Sequence, residues 1–223
     1  KVDAELVEKV ESSCLDVYSL KHGVEPKLLL ENTSGFFQNI HAAELVRKVL
    51  DLKVEGCILD YCSAPGGKSW QMARFDEGEG GIYLHDVNKR RARRIKESPL
   101  LEFFDRCDWV DTERLESEEY DNILIDVPCG NSGVLVKSPE ATKHLWYQND
   151  ECADVQNEVL QKALGFLKEG GRLFYSTCSI NPSENQYRVK HFCEEMSMQL
   201  VSEFQWWPDS RGGHGAYLAC MKW

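Results

Sequence analysis

From Gly56 to the end of the chain, short apolar runs alternate with longer stretches whose apolar residues recur every three or four positions. The runs predict strands at about 57–61, 81–86, 107–111, 121–127 and 171–178, with a terminal pair near 201–206 and 216–222. Helical spacing occupies about 67–75, 88–97, 150–168 and 183–197. Strands that alternate with helices imply a parallel sheet covered on both faces. Upstream the pattern is different. Val2, Leu6, Val10, Leu15 and Val17 among acids predict an amphipathic helix over 2–20. A turn-rich stretch with Gly23, Pro26 and Asn32 follows, and Gly35 to Ile40 leads into a second helical pattern ending near Leu50. The organisation expected is a helical extension over 1–34 and one α/β domain over 35–223, which suits a chain of 223 residues.

In such sheets ligands bind beyond the carboxyl ends of the strands. The first run, Cys57 to Tyr61, opens into Cys62, Ser63, Ala64, Pro65, Gly66, Gly67 and Lys68, small residues that lead into a helix. Glycines here permit positive φ and close approach of backbone to a ligand, and the helix start offers free N–H groups. Asp86 ends the second strand about 20 residues later, the spacing at which an acid meets a ribose diol. Asp111 ends the third, within reach of an adenine edge; either acid could instead cap the helix that follows it. The loop has neither the G-x-x-x-x-G-K-[ST] nor the G-x-G-x-x-G arrangement, which favours a cofactor with few phosphates or none, and S-adenosylmethionine fits.

Two thiols sit at strand ends. Tyr120 to Asp126 is a buried strand followed by Val127, Pro128 and Cys129, and Leu173 to Tyr175 runs out through Ser176 and Thr177 to Cys178. If their strands are neighbours, Asp126, Cys129 and Cys178 converge beside the small-residue loop. That set has a use. Carbon 5 of a pyrimidine is a weak nucleophile until a thiolate adds at carbon 6, an acid near ring N3 favours the adduct, and a second base or thiol can remove the carbon-5 proton.

Composition narrows the setting. The nine cysteines suggest neither a disulfide framework nor a CxxC metal pair, so a reducing compartment is expected and no metal site. No apolar run approaches the roughly 20 residues of a membrane helix, and the N-terminus shows no signal or transit pattern. With 26 Lys and Arg against 37 Asp and Glu, the net charge of −11 opposes general electrostatic binding of nucleic acid. The exception is Lys89 to Lys96, six cations in eight residues, which is either a phosphate-contacting face or a solvated helix face. Trp206 with Trp207 and Phe36 with Phe37 could stack bases, although core packing is the favoured reading.

The stretches Leu59 to Lys68, Asp126 to Cys129 and Tyr175 to Ser179 with Glu184 and Asn185, together with Gln38 and the closing His214 to Ala219, resemble in order the motifs of the Sun-type RNA cytosine-5 methyltransferases. The resemblance covers about residues 35–223. It implies a Rossmann-like class I S-adenosylmethionine-dependent methyltransferase: a mostly parallel seven-stranded sheet with an antiparallel last strand and helices on both faces. It implies Cys178 as the nucleophile at carbon 6, Cys129 as the thiol that assists release, and Asp126 on the target base with Lys68 beside it. The donor would lie along Cys62 to Lys68, with Asp86 at the ribose, Asp111 near the adenine and Asp126 nearby. Departures from the common pattern include Ser63, Asn131, Lys137 and His214. The short acidic N-terminal part lacks the separate RNA-binding extension of many relatives. Such a form resembles the mitochondrial ribosomal RNA branch that works with a partner protein, so the expected setting is RNA, ribosomal by preference, a protein partner, and a mitochondrial location ahead of a nucleolar or cytoplasmic one. A catalytically silent scaffold in ribosome assembly is the alternative. A DNA cytosine-5 methyltransferase would use Cys129 as nucleophile and need a large target-recognition region.

Overall fold

Alternation within the strands decides the architecture. The computed structural model describes residues 7–10, 17–20, 38–97, 101, 105–135 and 149–223. In chain order the elements are β1 (Val7–Val10), β2 (Val17–Leu20), α1 (Ile40–Leu52), β3 (Ile58–Asp60), α2 (Gly67–Phe75), β4 (Ile82–Leu84), α3 (Lys89–Lys96), β5 (Cys107–Trp109), α4 (Thr112–Leu115), β6 (Tyr120–Asp126), α5 (Asn149–Leu164), β7 (Leu167–Thr177), α6 (Gln186–Met196), β8 (Gln199–Trp206) and β9 (Ala216–Lys222). Successive strand residues point to opposite faces. Leu59, Ile123, Ile125 and Tyr175 pack with Leu160 and Leu164 of α5 and Val189 and Phe192 of α6. Ile58, Leu124, Phe174 and Leu218 pack with Val46 and Val49 of α1, Met72 of α2 and Ile95 of α3. Strands apolar on both sides need helices on both sides, and those two cores are the result.

The sheet order is β5-β4-β3-β6-β7-β9-β8. The first five strands are parallel, and β9 runs antiparallel to both β7 and β8. From β3 the chain winds outward to β4 and β5, then returns to place β6 and β7 on the other side. That reversal opens a crevice at the carboxyl ends of β3 and β6, where such folds bind ligands.

Two expectations need correction. Within the span predicted as a helix over 2–20, residues 7–10 and 17–20 form an antiparallel pair, with Val7 opposite Leu20 and Val10 opposite Val17. Both segments are rich in β-branched and aromatic residues, a preference that outweighs a helical spacing already irregular at Leu15 and Val17. The limit of the extension at 34 lies outside the described residues. The helix predicted to 168 ends at Leu164, and β7 begins at Leu167 opposite Tyr120, ahead of the glycines expected to launch it. The apolar residues run unbroken from helix to strand, so periodicity alone does not mark the change.

Candidate active site

At the end of β3 the chain turns through Tyr61 to Gly66 and enters α2. Gly66 takes φ 104°, a left-handed conformation that suits glycine and lets the loop pass straight into the helix. Ser63 ties this loop to the end of β4, its N–H and Oγ both donating to the His85 carbonyl at 3.0 Å. Asp86 completes the tie, accepting from the Ala64 N–H at 3.1 Å and the Asn88 N–H at 2.9 Å. Arg91 closes the same corner: its Nη2 donates to the Ala64 carbonyl at 2.6 Å and lies 3.5 Å from Asp86 Oδ2. Cys62 lies in this loop too, and burial pushes its thiol far up, so it is a neutral lining group. The structure therefore brings Asp86 to the small-residue loop. Asp111 is used differently. It is exposed and caps α4, accepting from the Arg114 N–H at 3.0 Å.

Asp60 was not singled out by sequence reasoning. It ends β3, is 1 % exposed, and accepts from Ser69 Oγ at 2.5 Å. Its Oδ1 is buried with no hydrogen-bond partner. Burial pushes this carboxyl up to about 7, against the opposing pull of Ser69 and Lys68. The only signal in the sequence was an acid at the end of an apolar run, which many strands share.

The thiols meet because β6 and β7 are adjacent and in register, Asp126 opposite Ser176. The chains leaving both strands bring Cys129 Sγ within 3.2 Å of Cys178 Sγ. Both are free thiols, as are all the cysteines among the described residues. The hydrogen bond with Cys178, and then burial, push the Cys129 thiol well up. Cys178 is half-buried, and its Sγ lies 2.7 Å from Asn131 Oδ1. Lys68 reaches across from α2 to Asp126, Nζ to Oδ2 at 2.5 Å, while Ser176 Oγ donates to Asp126 Oδ1 at 2.8 Å. Burial pulls the Lys68 ammonium down, but the charge and hydrogen bond of Asp126, with Asp60 behind, outweigh it and raise it on balance. Of the four expected residues, Lys68 and Asp126 form one pair and Cys129 and Cys178 another, and the charge of Cys178 is felt at Lys68.

What holds the two thiol-bearing loops together is buried Glu184. One carboxylate oxygen accepts from the Gly130 N–H at 2.7 Å, and the other from Ser179 Oγ at 2.5 Å, so each bond lands one residue from a thiol. Asn185 binds Thr177 Oγ1 at 2.7 Å and the Ser179 carbonyl at 2.9 Å. Gly133 is closer still: its N–H donates to the Cys178 carbonyl at 3.1 Å, and an added Cβ would lie 2.6 Å from that oxygen and from the Gly215 backbone. Glu184 and Asn185 entered the sequence reading only as part of a motif. Their function as clamps depends on loops that meet in space.

The basic α3 divides its cations. Arg91 belongs to the corner formed by Ala64 and Asp86, Arg93 pairs with Glu97 at 2.6 Å, and Lys96 lies 4.7 Å over the Trp109 ring. Lys89, Arg90 and Arg94 are exposed. Trp206 packs against Phe204 beside the core and Trp207 is 61 % exposed, whereas Phe36, Phe37 and Lys137 lie outside the described residues. Among the described residues there is no metal-holding cluster of His, Cys, Asp and Glu, and no helix is long and apolar enough to cross a membrane.

Comparison with known proteins bears on the family and the fold. A family model described as 16S rRNA methyltransferase RsmB/F matches residues 47–218. The chain is 30% identical over 209 residues to the probable ribosomal RNA small subunit methyltransferase B of Bacillus subtilis, covering 86% of this chain and 46% of that protein. It therefore spans about half the length of that curated relative. Among solved structures, PH0851 superposes with a TM-score of 0.82 at 27% identity, over 97% of this chain and 54% of that one. NSun6 from Pyrococcus horikoshii, solved with SFG, gives 0.69 at 26% identity, over 84% of this chain and 52% of its own.

Proposed function

Because this chain belongs to the 16S rRNA methyltransferase RsmB/F family, we propose that it methylates carbon 5 of a cytosine in ribosomal RNA through a covalent adduct at carbon 6. The observation that carries the reading is the pair of free thiols 3.2 Å apart, one of which, Cys178, lies beside Asn131 and interacts electrostatically with Lys68. S-adenosylmethionine supplies the methyl group, and the SFG of the Pyrococcus neighbour is an analogue of it. The residues at the crevice suit such a donor: the Gly66 turn admits close backbone approach, the start of α2 offers N–H groups, and Asp60 Oδ1 is a buried acceptor still without a partner. Cys62 to Lys68 and Asp86 would hold it, with Asp126 alongside.

The chain's own residues do the rest. Cys178 gives up its proton to water and its sulfur bonds carbon 6, which moves electron density to carbon 5. Asp126, held by Lys68 and Ser176, accepts a hydrogen bond from the base edge and keeps the ring in line with the sulfur. Once carbon 5 has gained its methyl group, Cys129 acts as the base in its thiolate form, its own proton having passed to water, and takes the proton from that carbon. The electrons left behind re-form the ring double bond and break the bond between carbon 6 and sulfur, releasing Cys178. A cytosine inside a duplex cannot present carbon 6 to a thiol, so the target is unpaired or flipped out.

The two thiols are distinguished by substitution. Cys178→Ala is expected to abolish methylation and covalent capture of RNA, while Cys129→Ala leaves protein trapped on RNA as a slow band on a denaturing gel. Trapping by Cys178→Ala and none by Cys129→Ala reverses the assignment. The substrate is found by bisulfite sequencing of total and organellar RNA with and without the protein, where one cytosine is expected to lose its protection. The net charge of −11 supports a further part of the reading, a protein partner that supplies RNA contacts, with a mitochondrial ribosomal setting as the proposed location. RNA binding by this chain alone as tight as by the chain with a co-purified partner overturns the partner, and cell fractionation tests the location.

A further inference from the structure

One residue touches both sulfurs. Asn131 Oδ1 lies 2.7 Å from Cys178 Sγ, and the Asn131 backbone N–H is hydrogen-bonded to the Cys129 sulfur. It reaches both because its backbone is left-handed, φ 55° and ψ 25°, which swings the side chain back from the loop after β6 towards the end of β7. Asparagine enters that region more easily than other residues bearing a Cβ. The turn that follows, Ser132–Val134, is anchored to the same thiol's residue through the bond from the Gly133 N–H to the Cys178 carbonyl. The position is therefore built, and it is one of those at which the chain departs from the pattern its motifs resemble.

We propose that Asn131 is a positioning residue for the reacting pair, its backbone N–H fixing the Cys129 sulfur while its carboxamide holds Cys178 both as thiol and as thiolate. A carboxamide carries an acceptor and two donors on one planar group. Towards Cys178 as S–H it presents Oδ1, the arrangement observed. After the proton has passed to water, a half-turn about the Cβ–Cγ bond presents an N–H to the sulfur anion from nearly the same place. Deprotonation then costs Cys178 no hydrogen bond, and the sulfur stays aimed while its charge changes. A carboxylate in that position accepts only, and a glycine does neither.

Other charges face the same sulfur. Lys68, on α2, interacts electrostatically with Cys178 and is paired with Asp126 at the end of β6. Cys129 stands on the near side, and the charge of Glu184, from the loop before α6, acts on Cys129. All four are unchanged by substitution at Asn131, so the effect of that residue can be read separately.

The role rests on Cys178 as the attacking thiol, but its test needs neither RNA nor donor. The rate at which iodoacetamide alkylates Cys178 is followed against pH by mass spectrometry of its peptide, in the full chain and in Asn131→Asp and Asn131→Gly. Glycine accepts the left-handed backbone without strain and removes only the carboxamide, and a matching thermal melt guards against misfolding. The midpoint is expected to move upward by about one pH unit in Asn131→Asp, where an anion faces the forming thiolate, and by less in Asn131→Gly. Profiles for both variants that overlay the unsubstituted chain overturn the proposal. Covalent RNA capture is scored in parallel. A Cys129→Ala chain that captures no RNA while Asn131→Asp still shifts the alkylation midpoint removes the methyltransferase reading and leaves the positioning role standing.

Discussion

Asp60 illustrates how far a position can alter an ordinary group. Its carboxyl titrates near 7 in the folded chain against an ordinary value of 3.8, because burial at the end of β3 takes away water that Ser69 and Lys68 only partly replace. Between those two pH values the folded chain holds a proton that the unfolded chain has released. The group's contribution to stability is therefore complete below about 3.8 and is lost as the pH rises through about 7. Asp60→Asn cannot ionise and can still accept from Ser69. Its stability relative to the native residue should thus rise between pH 4.5 and pH 8, by on the order of 3 kcal/mol. Urea denaturation of both proteins at the two pH values measures this, and a difference independent of pH would mean that Asp60 is already ionised in the fold. Sequence shows only an acid after Ile58 and Leu59. That β4 and β6 flank it and strip its water is a property of the sheet order, which no local pattern contains.

At the scale of elements, the sequence was informative where residues and their partners lie close along the chain. The strand ends expected at about 61, 127 and 178 lie within a residue of the observed Asp60, Asp126 and Thr177, the helix over 67–75 follows from an apolar pattern bounded by small or polar residues, and the thiols were placed beside one another from strand adjacency alone. Legibility failed where two patterns overlap, as from Leu164 to Leu167, and where short β-branched segments imitate a helix, as at 7–10 and 17–20. It failed more completely for the clamps, since Glu184 meets Gly130, and Gly133 meets Gly215, only after the loops have folded. The second meeting is close enough to test. In Gly133→Ala the new methyl group would sit 2.6 Å from the Cys178 carbonyl oxygen and from Gly215, backbone on both sides, so neither neighbour can rotate away. A loss of about 1–3 kcal/mol is expected in thermal or urea unfolding. On the proposed function, covalent capture scored in the Cys129→Ala background should fall further than the lost fraction of folded protein explains, because the displaced backbone carries Cys178. Native stability in this variant would show that the loops have slack at this point.

At the scale of the whole molecule, charge opposes the proposed RNA substrate. A chain of net charge −11 repels a polyanion at long range, and no rearrangement inside the crevice changes that. Attraction has to be local, and α3 is where the chain concentrates it. Of its cations, Arg91 is engaged with Ala64 and Asp86, Arg93 with Glu97, and Lys96 with Trp109, whereas Lys89, Arg90 and Arg94 face solvent. Reversing those three to glutamate leaves the Asn88 cap and the Arg91 anchor in place, so the fold and donor binding should be unaffected. If the face binds phosphates, affinity for a ribosomal RNA fragment should fall, and the slope of log affinity against log salt should become shallower by about two to three, roughly 0.7–0.9 for each phosphate no longer neutralised. Equal affinity and equal slope would identify α3 as a solvated face. The proposed RNA would then be held by surfaces outside the described residues or by the proposed partner, and the same titration repeated with any co-purified partner present would distinguish the two.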